Sequence, residues 1–120
     1  MKVYITNESG HNFDKALKCL FKDTAFEIVY ITHGTVHVFS TERVLDELKK
    51  KLLDYNPALD YIVLSGSSFI NVMVSMLAIN STKQHVKNRV INLLVYNSKT
   101  KKYIPREFSI DTLKGDITLP

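Results

Sequence analysis

Cysteine pairs, a long apolar run and a signal peptide, which are typical of secreted or membrane proteins, are all missing from this sequence. Its 120 residues include one cysteine, Cys19, and no tryptophan, so an internal disulfide and a cysteine-rich zinc site are excluded. The most apolar run, Phe69–Ile79, contains Asn71 and Ser75 and is much shorter than the ~20 residues of a membrane span. The first residues lack the basic and apolar regions of a signal peptide. We therefore expect a cytoplasmic protein that does not enter a membrane.

Glycine and proline are also scarce, with four and three residues, and no flexible linker or low-complexity segment interrupts the chain. Hydrophobic residues make up 45% of the sequence and charged residues 23%. These values are ordinary for a globular protein and exclude wholesale disorder, collagen and coiled coil. A chain of this length forms one domain. We expect a single domain over 1–120, with a flexible tail from about residue 111.

Alternating β-prone and helical segments predict an α/β fold. An amphipathic helix is expected to begin after Ser40 and to end near Pro57, the apolar run 69–79 to form a buried helix, and 14–20 to form a weak helical turn. The prediction is a sandwich with a mixed, partly parallel sheet of about five strands, two main helices and a C-terminal antiparallel hairpin. The predicted strands are 3–6, 27–32 with a short extension over 36–39, 61–64, 90–96 and 102–108.

The last predicted strand contains Pro105, which cannot donate a ladder hydrogen bond and therefore indicates a sheet edge. An exposed edge favours pairing with a second copy, so we expect a homodimer through edge strands or through the basic C-terminal region. The alternative is a monomer whose edge is protected by proline and lysine.

The formal net charge of +4 is unevenly distributed. Residues 81–120 hold eight of the 16 Lys and Arg residues but only three of the 12 Asp and Glu residues. This bias attracts anions to one end of the molecule without choosing among a nucleotide, a nucleic acid and an acidic protein. The alternative interpretation is a solvated surface that keeps the protein soluble.

The best candidate for a ligand site is the turn Ser65-Gly66-Ser67-Ser68, between the predicted central strand and the buried helix. Ligands of open α/β sheets bind beyond the carboxyl ends of the strands. Gly66 would let the backbone approach a phosphate, which the serine hydroxyls and the free amides of the helix start would bind. Alternatively, Ser67 or Ser68 only caps the helix. The glycine-rich dinucleotide and phosphate-loop motifs are absent.

Polar residues after the first two strands extend this candidate site. Asn7, Ser9 and His11 follow the first strand, and His33 follows the second. Such groups fix a nucleoside, and either histidine is a candidate general acid or base. His33 and His37 do not share a helical face, so no metal site is predicted.

Basic residues near the fourth strand complete the set of candidate ligand-binding residues. Lys87 and Arg89 are two positions apart, so in an extended segment both would project to one side and face an anion. Around the predicted hairpin, Tyr96, Tyr103 and Phe108 alternate with further charges and offer rings for base stacking. Packing within the sheet is the alternative role of these rings.

Several segments resemble a family of small uncharacterised tailed-phage proteins. They are Thr6–His11, Asp60–Leu64, and Arg89–Tyr96 followed by Tyr103 and Arg106. The resemblance extends over most of residues 3–108. It implies a phage protein that acts in the cytoplasm of an infected bacterium, where small accessory proteins commonly inhibit host machinery or defence. It assigns no functional residue.

Three functional hypotheses follow, none of which requires a cofactor. The first is non-enzymatic binding of an anionic nucleotide-like ligand by Asn7, the 65–68 turn and Lys87 or Arg89, which would serve counter-defence by sequestering a host signalling nucleotide. The second is an inhibitor that binds a host protein or nucleic acid through the basic C-terminal surface. The third is a small nucleotide or phosphodiester hydrolase that uses His11 or His33, although the nucleophile-elbow motif of serine hydrolases is absent.

Overall fold

The structure is a computed structural model that describes residues 1–8, 10, 12–34, 41–84 and 89–110. Within this part of the chain it confirms the predicted α/β class, the mixed sheet and the C-terminal hairpin. The expected strand extension at 36–39 and the expected tail from about residue 111 lie outside the described residues. The elements are β1 (Lys2–Glu8), α1 (Phe13–Leu20), β2 (Glu27–His33), α2 (Thr41–Lys51), β3 (Tyr61–Val63), α3 (Ser68–Ser81), a short 3-10 helix (Thr82–Gln84), β4 (Val90–Asn97) and β5 (Lys102–Ser109).

The sheet has the strand order β2-β1-β3-β4-β5. β1 pairs in parallel with both β2 and β3, and β3 pairs in parallel with β4, whereas β5 returns antiparallel to β4. β5 is an edge strand, in which Pro105 lies opposite Leu94. The position of Pro105 confirms the edge that its missing N–H predicted.

The chain has three helices in its described part, one more than the two main helices predicted, because α1 is a full helix of eight residues. The Asn12 side-chain oxygen accepts a hydrogen bond from the Lys15 backbone N–H at 3.1 Å and caps its first turn. Phe13 and Leu17, one turn apart, are buried against the sheet. Short helices are marginal in isolation, so this packing, which local propensity does not reveal, stabilises α1.

α2 ends at Lys51, earlier than the predicted end near Pro57. Beyond it, backbone bonds spanning three residues replace the helical pattern, including the one from the Tyr55 N–H to the Leu52 carbonyl. The buried Asp60 carboxylate then accepts from the Asn56 N–H at 2.8 Å and from the Lys2 N–H at 2.9 Å. This carboxylate ends the connection from α2 and joins it to the start of β1.

Helices cover both faces of the sheet, and each face has its own hydrophobic cluster. On the α1 face, Val3 and Ile5 of β1 pack with Phe13 and Leu17 of α1. On the opposite face, which we call the α2/α3 face, Tyr4 of β1 packs among residues of α2 and α3. Successive side chains of a strand point to opposite faces, so β1 is buried from both sides and forms the centre of the core.

α3 is the most apolar helix and contains no charged residue over Ser68–Ser81. Ile70, Met73, Val74 and Ala78 are buried in the α2/α3 cluster. No helix in the described ranges is both long enough and apolar enough to cross a membrane.

Burial of Tyr4 predicts a loss of stability at alkaline pH. Burial, together with the negative charges of Asp60, Asp54 and Glu27, raises its pKa from 10.0 to about 12. The unfolded state therefore loses this proton first, so the free energy of unfolding falls as pH rises from about 10 to 12, by roughly 2–3 kcal/mol for this group. Urea unfolding of Tyr4→Phe should show a shallower decrease over that range. Tyr96→Phe, which removes a half-exposed hydroxyl, is the control, and equal slopes for Tyr4→Phe and the unmodified protein would contradict the prediction.

Candidate functional site

The carboxyl edge of the sheet contains a point where neighbouring parallel strands send their helices to opposite faces. After β1 the chain enters α1 on one face, and after β3 it enters α3 on the other. Because β1 and β3 are adjacent, a crevice is expected between the two connections, and open α/β sheets bind ligands at such switch points. The residues at this edge are therefore the first to consider as a site.

Thr6 fixes the turn after β3 to the end of β1. Its buried hydroxyl donates to the Ser65 carbonyl at 2.7 Å and accepts from the Ser65 N–H at 2.6 Å. Thr32 of β2 in turn donates its hydroxyl hydrogen to the Thr6 carbonyl. The ends of three neighbouring strands are therefore joined through threonine hydroxyls, which makes this edge a rigid support.

Asn7 serves this internal network. Its side-chain nitrogen donates to the Gly34 carbonyl at 3.0 Å, and its side-chain oxygen lies 3.2 Å from the Thr32 hydroxyl. Asn7 as a whole is only 9% exposed to solvent. Asn7 thus lies at the predicted edge, but its polar groups are already used within the protein.

A glycine is required at position 66 because the Asn7 side chain packs directly against it. Its φ of +80° is in the left-handed region, and an added Cβ would lie 2.6 Å from the Asn7 side-chain nitrogen. The sequence suggested that a ligand would approach the backbone at Gly66. The group that lies there is the Asn7 side chain. On that side the turn is closed.

The serines of the turn face outward. Ser67 occupies the N-cap position of α3 without a side-chain cap hydrogen bond, so the simple capping role considered for it is not present. Ser67 and Ser68 are exposed, while Ser65 is half-buried and held by Thr6. The hydroxyls of Ser67 and Ser68 are thus accessible to solvent.

His33 pairs with Glu8 on the neighbouring strand. The imidazole Nδ1 lies 2.7 Å from the Glu8 Oε2, and both side chains are at least half-exposed. The two residues are opposite each other in the β1–β2 register. A carboxylate bound to one ring nitrogen orients the imidazole and leaves the other nitrogen free for chemistry. His33 and Asn7 therefore do share the carboxyl edge, at the β1–β2 end of it.

Arg89 is separated from this group. It precedes β4, which runs parallel to β3, so it lies at the amino edge of the sheet. At about 3.3 Å per residue, it is roughly 20 Å along the strand from the level of Ser65. Its side chain reaches the Thr82 hydroxyl at 3.4 Å. The structure therefore does not bring Arg89 together with the 65–68 turn as expected, while Ser9, His11 and Lys87 lie outside the described residues.

A groove that the sequence analysis did not identify as a site lies on the α1 face beside the carboxyl edge. α1 covers one part of this face, and the hairpin of β4 and β5 extends beyond it. The cavity between them has a volume of about 540 Å³. Its apolar surface includes Phe13, Tyr96 and Tyr103. The Tyr103 ring lies beside both of the others, with its centroid 5.3 Å from that of Tyr96 and 6.5 Å from that of Phe13. Leu64 and Ser65 line the end nearest to the β3 turn.

The rim of the groove is basic. A second cavity of about 410 Å³ continues the first between α1 and the hairpin turn and shares Asn12, Ala16, Lys101 and Tyr103 with it. None of the described residues that line either cavity carries a carboxylate. Four lysines contribute to the lining: Lys15, Lys22, Lys101 and Lys102.

Two features distinguish the hairpin side of this groove. Lys101 has a φ of 56° and so occupies the left-handed position of the turn between β4 and β5. Burial, followed by the neighbouring Tyr96 and Tyr30, raises the pKa of the Tyr103 hydroxyl. Like an ordinary tyrosine, Tyr103 is protonated at neutral pH and has a hydrogen to donate.

Sequence reasoning noted the charges and rings of the hairpin but missed the contribution of α1. Asn12, Lys15 and Lys22 reach the groove only because α1 packs beside β5. The short basic helix carries no motif that would indicate this contact. Within the described part of the chain, no three His, Cys, Asp or Glu side chains are placed to hold a metal ion.

Comparison with known families now identifies the kind of protein. The model of the Phage Pam3 gp32-like protein family matches residues 1–110. The chain belongs to this family. The resemblance to small phage proteins inferred from the sequence is thereby confirmed. No curated protein and no solved structure matches the chain.

The Gly66–Asn7 contact leads to a stability prediction. Gly66→Ala should lower the free energy of unfolding by about 1–2 kcal/mol for the left-handed backbone and by about 1–3 kcal/mol more for the overlap with Asn7. Gly34→Ala is the matched control, because Gly34 has a φ of +62° but no described residue within 4 Å of where a Cβ would lie. Urea unfolding of both variants measures the difference. Equal losses would show that Asn7 does not confine Gly66.

Proposed function

We propose that this protein binds an anionic, nucleotide-like small molecule in the groove between α1 and the β4–β5 hairpin, without converting it chemically. The observation that carries the proposal is the composition of the groove: aromatic rings on its apolar side, four lysines around it, and no acidic group among its described lining residues. A ligand that is both planar and negatively charged complements both parts.

The rings account for the planar part of the ligand. Stacking of a base on an aromatic side chain contributes about 1–3 kcal/mol and tolerates different bases. Tyr103 is half-buried and contacts both Phe13 and Tyr96, so its position is set before a ligand arrives. A protonated hydroxyl on this ring would also donate to a base carbonyl or ring nitrogen.

The lysines account for the charged part. Lys101 lines both cavities from the hairpin and Lys15 lines the second cavity from α1, so a phosphate in the second cavity would be held from two sides. Lysine binds phosphate as a point charge and does not demand one geometry. The first cavity, at about 540 Å³, is within the ~300–1,000 Å³ range of small-molecule sites, which suits a nucleotide better than a polymer.

Binding is favoured over hydrolysis by the groups that line the groove. They are rings, amides, hydroxyls and ammonium groups, together with the Cys19 thiol. Within the described residues, the candidate for proton transfer is the His33–Glu8 pair. It lies at the ends of β1 and β2, whereas the groove is lined by the ends of β3 and β4. A hydrolase would need a general base within hydrogen-bond reach of the attacked group.

Membership of a phage family supports a role against the host. Sequestration of a host signalling nucleotide in the cytoplasm is the role we propose, and inhibition of a host protein or nucleic acid through the basic surface is its rival. Salt distinguishes nucleic acid from a small ligand, because displacement of many counterions makes nucleic-acid affinity fall steeply as salt rises.

Calorimetric titration with ATP, GTP, cyclic mononucleotides and cyclic dinucleotides tests the proposal. At least one of these should bind, and Tyr103→Ala and Lys101→Glu should each weaken its binding about tenfold or more, as the loss of one stacked ring or one phosphate contact implies. Lys50→Glu, on α2 at the opposite face of the sheet, makes the same charge change away from the groove and should bind normally.

Three results would contradict the proposal. One is the absence of binding by the whole panel at millimolar concentration. Another is equal affinity for the groove variants and the Lys50→Glu control. The third is conversion of a bound nucleotide during overnight incubation, followed by phosphorus NMR, which would establish the hydrolase alternative instead.

A further inference from the structure

The face of α3 that points away from the core is apolar and exposed. Phe69, Val72 and Met76 follow the spacing of one helical stripe, and all three are among the large hydrophobic residues most exposed to solvent, with Met76 at 64%. A surface helix normally presents charged or polar residues on this side. α3 has no charged residue along its whole length, so its outer side resembles an interface.

The hairpin continues this apolar surface. Ile91 and Leu93 are in the cluster beneath α3, and by strand alternation Val95 points to the same face. Cross-strand partners share a face, so Phe108, opposite Ile91, and Ile104, opposite Val95, point there too. By the same rule the exposed Arg106, opposite Leu93, also points to this face. Val95 is 47% exposed and Phe108 is 42% exposed. We call these side chains the α3 patch: Phe69, Val72 and Met76 of α3, with Val95, Ile104 and Phe108 of the hairpin.

We propose that the α3 patch is the interface of a homodimer, in which a second copy of this chain packs against it about a two-fold axis. The shape of the patch supports a second copy as the occupant. It combines one side of a helix with one face of a two-stranded hairpin, so α3 of one protomer can lie on the hairpin of its partner while the partner's α3 lies on the first hairpin. A two-fold interface requires this kind of self-complementarity.

Charge also favours a second copy. Two molecules with a net charge of +4 repel each other. Contact is least opposed through α3, which is uncharged, while the hairpin side of the contact includes one charge, that of Arg106. Joining two copies through α3 brings no charged residue of that helix against another. Nor does the helix offer a charge by which a foreign acidic or basic partner would be selected.

The area of the α3 patch is close to what a dimer needs. With side-chain areas of about 150–220 Å² for Val, Met and Phe, the exposed fractions leave on the order of 450–500 Å² of apolar surface per protomer. A standard interface buries about 800 Å² per partner, of which about 65% is apolar in homodimers. The α3 patch therefore supplies roughly the apolar part of one standard interface, and polar neighbours would supply the rim.

This dimer differs from the edge-paired dimer expected from the sequence and leaves the groove open. The other members of the α3 patch are on the α2/α3 face, whereas the groove is on the α1 face. Val95 is shared, because it also lines the first cavity, so the dimer is tested with residues that line neither cavity. The two proposals are therefore independent, and failure of one leaves the other standing.

Sedimentation equilibrium of the full chain from about 5 to 500 µM tests the dimer, with native mass spectrometry as a second measurement. The unmodified protein should be dimeric in the upper part of this range. Met76→Glu should weaken dimerisation at least tenfold, because it places a carboxylate in the apolar contact, and Phe108→Lys on the hairpin should do the same. Leu53→Glu is the matched control, since Leu53 is 79% exposed but lies outside the α3 patch.

The substituted residues are exposed, so the variants are expected to fold. An unchanged circular dichroism spectrum for each variant distinguishes a loss of dimerisation from a loss of folding. A monomer at all concentrations would overturn the proposal. A dimer unaffected by both Met76→Glu and Phe108→Lys would overturn it too, and would return the contact to a sheet edge. A dimer weakened equally by Leu53→Glu would show that the effect does not come from the α3 patch and would overturn the proposal.

Discussion

Antiparallel pairing of β4 with β5 leaves the outer part of the sheet without a covering helix. The pairing runs through the whole of both strands, from Val90 opposite Ser109 to Asn97 opposite Lys102. Each earlier strand is followed by a helix that packs on one face, but β4 is followed by a turn of a few residues. Both faces of the hairpin are therefore accessible beyond the helices. The groove lies on one of these faces and the α3 patch on the other.

The inner part of the sheet supplies the rigidity that such open surfaces need. β1 is buried on both faces, and Thr6 joins its end to Ser65 and, through Thr32, to β2. Asp60 makes the corresponding connection at the start of β1 by accepting from Lys2 and Asn56. Buried polar groups that are fully paired favour one arrangement of the chain over others. The ends of β1 are thus held at both edges, and the hairpin is built outward from this support.

Local sequence patterns predicted the elements well and the site only in part. Strand and helix periodicity is a property of neighbouring residues, so the five strands, the apolar α3 and the edge position of Pro105 followed from it. α1 was underestimated because its stability comes from burial of Phe13 and Leu17 against strands distant in sequence. The turn at Gly66 was located correctly, yet the group that approaches it is the Asn7 side chain from the end of β1.

The sequence by itself determined the α/β class, the elements and the local excess of positive charge, because these depend on composition and on short-range spacing. The tertiary structure decided which charges come together. The parallel direction of β4 places Arg89 at the amino edge, away from the 65–68 turn, and the packing of α1 beside β5 brings Lys15 and Lys101 into the lining of one cavity. Strand order and direction depend on pairings between residues far apart in the chain, and no local pattern in the sequence specifies them.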